Sequence, residues 1–67
     1  MENIKIGSMV RIKPNLKEGA LYGGYTIPHD TIAHLGKTTT VVDIEDNSFL
    51  LKCNYSYYTQ EMIELIS

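Results

Sequence analysis

The chain has 67 residues, six of them basic and eight acidic, for a net charge of −2, and a single cysteine, Cys53. A domain this small buries only about 60% of the surface its unfolded chain exposes, and one cysteine leaves it no internal disulfide to add to a modest core. The slight acidic balance works against non-specific nucleic-acid binding, which draws its affinity from neutralised phosphates. No apolar stretch approaches the length that crosses a bilayer.

One domain over residues 1–67 is expected, without an internal repeat, linker or low-complexity tract. The opening "MENIKIGSMV" lacks a basic segment running into a long apolar one, so no signal peptide is predicted. The lone thiol fits a reducing cytoplasm.

In the first third, Ile4, Ile6, Val10 and Ile12 share one parity, and Lys5, Arg11 and Lys13 take the other. This period of two predicts a strand with one wet face, turned or bulged at Gly7-Ser8. Pro14-Asn15 ends it, because proline cannot donate to a ladder. The segment "NLKEGALYGGYTI" holds Gly19, Gly23 and Gly24 and predicts a long excursion loop that enters a strand at Tyr25–Ile27. In "PHDTIAHLG", Pro28 suits a helix start, Asp30 complements the N-terminus and Gly36 stops a short helical turn.

The stretch "KTTTVVDIEDNSFLLKCNY" predicts a hairpin, with "EDNS" as the turn. Thr40, Val42 and Ile44 share one parity of its first strand, and Phe49, Leu51 and Cys53 share one on the return. At the end, "YTQEMIELI" predicts a tight turn at Thr59–Glu61 and a short closing strand. The fold class is therefore mainly β: five short strands and one helical turn, forming a small barrel whose closure would remove exposed sheet edges.

Four segments carry a resemblance: "IGSMVRI", the pattern from Leu16 through "YGG" at Tyr22–Gly24, "GKTTTVVDI", and "YYTQEMIEL". Taken in this order from Ile6 to Leu65, they resemble a family of very small proteins of phages, prophages and low-GC Gram-positive bacteria. That resemblance implies a five-stranded Src-homology-3-like barrel acting in a bacterial cytoplasm, with no assigned activity. Two departures stand out. Ser8 occupies a position that is usually acidic in such sequences, and Tyr57 and Tyr58 stand near one that is usually tryptophan.

Motifs that would carry chemistry are incomplete. "ALYGGY" resembles the "ALYDY" signature of eukaryotic Src-homology-3 domains, but it follows the first strand instead of opening it. "LGKTT" has the tail of a phosphate loop, yet Thr31 stands where the first glycine belongs and the segment feeds a strand. His29, Asp30 and His34 have no third remote ligand of the kind zinc requires, so no metal or other cofactor is assigned. Alternation with Phe49 and Leu51 makes Cys53 a small buried hydrophobe rather than a nucleophile, and no catalytic residue is nominated.

What remains is a set of tyrosines. Tyr22, Tyr25, Tyr57 and Tyr58 combine apolar area with a polar tip, the chemistry enriched at protein interfaces. Neighbouring Tyr57 and Tyr58 point to opposite sides of an extended chain, so at least one faces outward. The expected function is non-catalytic binding of another protein through these four residues, with inhibition of a host factor as the role the family company suggests. The alternative is nucleic-acid binding, with bases stacked on tyrosine and phosphates held by Lys5, Arg11, Lys13 and Lys17. Self-association into a homo-oligomer is a third expectation, since it would enlarge a small core.

Overall fold

The computed structural model describes residues 4–66. Its strands are β1 (Met9–Ile12), β2 (Thr38–Glu45), β3 (Ser48–Leu51), β4 (Ser56–Thr59) and β5 (Ile63–Leu65). A 3-10 helix, η1 (His29–His34), precedes β2, and a 3-10 turn, η2 (Gln60–Met62), separates β4 from β5. All pairings are antiparallel, and the strands form one open sheet in the order β4-β3-β2-β1-β5. The fold is thus mainly β, as expected, but its strands are not all the expected ones. Tyr25–Ile27 forms no strand, and Ser56–Thr59 does.

The β2–β3 hairpin follows directly from its turn residues. Glu45 pairs with Ser48, leaving a two-residue loop in which Asp46 and Asn47 take φ of 49° and 66°. Asp and Asn tolerate this left-handed conformation, whose twist matches that of the flanking strands. Along β2 the alternation does not survive. A register shift between Val41 and Asp43 inserts an extra residue, so Val41 and Ile44, three apart, both reach the core while Val42 does not. The shared parity of Thr40, Val42 and Ile44 therefore mistakes the inward residue, because a bulge flips the faces beyond it. Ile6 departs from its parity too. Gly7 turns the chain at φ 94° ahead of the strand, and Ile6 is left 63% exposed.

β2 pairs with β1 through Thr38–Thr40 and with β3 through Val41–Glu45, so the bulge marks the handover between its two neighbours. Chain connectivity forces the sheet to curl. Thr59 sits level with Glu45 at one end of β2, whereas Ile63 sits just past Thr38 at the other. In a flat sheet these residues would lie about 30 Å apart, counting four strand spacings and the length of β2. Four chain steps span at most about 14 Å. The whole molecule measures 27 × 21 × 20 Å. Val10, Ile12, Leu51, Tyr58, Met62 and Ile63 fill the hollow of the curl and are nearly inaccessible.

The excursion between β1 and β2 is tied to the sheet at its base and in its middle. Its base closes with Gly36 N–H donating to the Ile12 carbonyl (2.8 Å) and Ile12 N–H to the Lys37 carbonyl (3.0 Å). Leu16 and Ile27 bury their side chains and tie its middle down. η1 is capped by Pro28, whose carbonyl accepts from Thr31 N–H (3.0 Å), and the chain turns into β2 at Gly36.

Candidate functional site

The tip of the excursion is a two-residue hairpin. Tyr22 and Tyr25 bridge each other, with Tyr22 N–H donating to the Tyr25 carbonyl at 2.7 Å, around Gly23 and Gly24 at φ 64° and 90°. Gly23 meets a second demand besides its dihedral. A Cβ there would lie 2.5 Å from Glu61 Oε1 and 3.1 Å from Thr59 Cβ. The tip is therefore docked on the β4–η2 junction, and the Thr59 hydroxyl donates to the Tyr22 carbonyl (2.8 Å) to hold it there. Glycine at this place serves both its left-handed dihedral and the close approach of its backbone to the Thr59 and Glu61 side chains.

Docking the tip creates a groove of about 410 Å³ between it, the β2–β3 turn and η2, with Tyr25, Asp46, Asn47, Phe49 and Glu61 in its walls. A second hollow of about 330 Å³ adjoins it, lined by Thr26, Glu45, Tyr57 and Met62. Tyr25, Asp46, Ser48 and Thr59 line both. Tyr25 is 66% exposed and Tyr57 43%, so both side chains are accessible here. The Tyr57 hydroxyl titrates above the ordinary tyrosine range, first through desolvation and then through the carboxylates of Glu45 and Asp43.

The other two tyrosines have different employment. Tyr22 is half-buried against the core, and its hydroxyl accepts from Lys17 N–H at 2.8 Å. Tyr58 is completely buried, opposite Phe49. Its hydroxyl joins Thr31 Oγ1 (2.9 Å) and accepts from Asn54 Nδ2 (2.8 Å), which also reaches Asp30 Oδ1 (3.1 Å). Tyr57 and Tyr58 thus point to opposite sides, as alternation required, and a surface role for Tyr58 is corrected to a core one. Burial pushes the Tyr58 hydroxyl upward in pKa, with the bonds from Thr31 and Asn54 pulling the other way.

The four basic residues of the nucleic-acid alternative have mixed surroundings. Arg11 is forked onto Glu64 across the β1–β5 pair, through Nη2 at 2.8 Å and Nε at 3.0 Å. Lys5 and Lys17 are exposed, and Lys13 is partly covered beside η2, its N–H donating to the Met62 carbonyl (3.0 Å). His29 contacts Glu18 (3.1 Å). Among the described residues no three His, Cys, Asp or Glu side chains gather into a metal cluster, and no helix is long and apolar enough to cross a membrane. Cys53 is partly buried against the core, beyond the end of β3.

Sequence reasoning missed the acidic wall of the groove. Asp43, Glu45 and Asp46 were read only as strand and turn, although three acids in four residues beside a tyrosine-bearing strand were a usable signal. Glu61 could not have been found this way, since only folding brings η2 to Gly23. Comparison with protein-family models, curated proteins and solved structures gives no match.

Proposed function

We propose that this chain is a non-catalytic binding module, a small Src-homology-3-like barrel that engages another protein through Tyr25 and Tyr57. One observation carries the reading: two exposed tyrosine rings line adjoining hollows where the loop tip, the β2–β3 turn and η2 converge. Tyrosine supplies large contact area at low entropic cost, which suits it to such a surface. The barrel reading is supported by the curl that the short β4–β5 connection imposes, which brings the sheet's two edges toward each other. Support for a phage or prophage protein in a bacterial cytoplasm comes from the sequence resemblance alone.

A binding role without chemistry is favoured by how the groove's side chains are used. Thr59 spends its hydroxyl on the Tyr22 carbonyl, and no histidine, lysine or cysteine lines either hollow to activate a nucleophile. The test is capture of a host protein from a Gram-positive lysate by the immobilised chain. Tyr25→Ala and Tyr57→Ala are expected to abolish capture while the thermal midpoint stays put. Capture that persists in both variants would remove this reading.

A further inference from the structure

The groove's charge specifies its ligand more narrowly than its tyrosines do. Glu45, Asp46 and Glu61 line the two hollows, Asp43 acts on Tyr57 from the same side, and neither hollow has a lysine, arginine or histidine in its walls. None of Glu45, Asp46 and Glu61 makes an ion pair or side-chain hydrogen bond with another described residue. The contrast with the other described acids beyond this face is direct, because Glu64 holds Arg11, Glu18 contacts His29 and Asp30 accepts from Asn54. Three of the eight carboxylates therefore line the two adjoining tyrosine-bearing hollows, with Asp43 as a fourth near Tyr57, and no lysine, arginine or histidine among the described residues lines either hollow.

Resting on the protein-binding reading above, we propose that the occupant is an extended segment of a partner protein bearing lysine or arginine. Such a segment would set its cation over the face of Tyr25 or Tyr57, where the ring quadrupole attracts it, with carboxylates on either side. Opposite charge across the contact speeds encounter and fixes register, and like charge repels wrong partners. The same carboxylates disfavour a phosphate backbone in this groove.

The experiment is selection of peptides from a random display library on the immobilised full chain, followed by titration of the enriched peptides. Enrichment of lysine and arginine is expected. Binding should weaken about tenfold in the Asp46→Asn/Glu61→Gln double variant, equivalent to about 1.4 kcal/mol. It should weaken further as salt shortens the screening length from about 10 Å at 0.1 M, while Glu18→Gln leaves it unchanged. Neutral or acidic peptides that need Tyr25 and Tyr57 but tolerate the double variant would overturn the charge inference and leave the binding module standing. Peptides indifferent to both tyrosines, no enrichment at all, or displacement of bound peptide by single-stranded oligonucleotide would overturn both.

Discussion

Tyr57 and Tyr58 are adjacent in β4, yet they belong to opposite regimes. On the inner side, the Tyr58 hydroxyl gathers η1 through Thr31 and the β3–β4 loop through Asn54, and no buried side-chain polar atom among the described residues is left without a partner. On the outer side, Tyr57 faces solvent beside the carboxylates of Glu45 and Asp43, of which Glu45 makes no ion pair or side-chain hydrogen bond with another described residue. A buried polar group must find its bonds within the protein, because leaving one unmade costs about 1–3 kcal/mol. An exposed charge has water and can wait for a ligand. Where polarity is internally satisfied the molecule is holding itself together; where rings and charges stand open it has something left to offer.

The comparison breaks most visibly under truncation. Tyr58→Ala is expected to cost about 3–5 kcal/mol, by analogy with buried aromatic truncations, and in a domain of this size that amounts to unfolding. Tyr58→Phe keeps the ring and separates the two terms. It leaves the wholly buried Thr31 hydroxyl without its partner and should cost about 1–3 kcal/mol in denaturant titrations. If Tyr58→Phe were neutral, the hydroxyl network would not be what fastens η1 to the sheet.

The bulge in β2 is tested by its neighbours. Val41→Ala should lose about 2 kcal/mol, since Val41 is buried opposite Leu51. Val42→Ala should lose no more than about 1 kcal/mol, and the reverse order would restore unbroken alternation.

High pH sharpens the contrast differently. Both tyrosines have folded-state pKa values raised above the ordinary one near 10. The stability linked to their neutral forms is complete below pH 10 and is lost as pH rises through the raised values, because the unfolded chain gives up those protons first. Stability should accordingly decline above about pH 10, with Tyr58 ionising only as the fold opens. Following tyrosinate absorbance against circular dichroism checks this, and a Tyr58 that ionises in the intact fold would contradict it.

The smallest expected effect on stability is the most informative for function. Tyr57→Ala and Tyr25→Ala should shift stability by no more than about 0.5 kcal/mol, as surface substitutions do, while removing partner binding. Melting curves matching those of the Tyr58 variants would place all three rings in one structural cluster and dissolve the distinction.

Local chemistry was legible where its cause was local. "EDNS" declared its own turn, and Pro28 with Gly36 the bounds of a short helix, because these conformations depend on residues a few positions apart. Val10, Ile12, Phe49 and Leu51 announced their inward face by alternation. The same alternation failed at Val42 and at Ile6; the turn that frees Ile6 was marked by Gly7-Ser8, whereas the bulge in β2 has no mark that a period of two can register.

Alternation alone settled that Tyr57 and Tyr58 part ways, since successive side chains of a strand oppose each other. Which of them went inside was a tertiary decision, taken by the curl of the sheet and by Thr31, 27 positions away, waiting for a hydroxyl. The groove likewise exists only because Gly23 lets the loop tip rest on Thr59 and Glu61, a contact between segments that are distant in the chain.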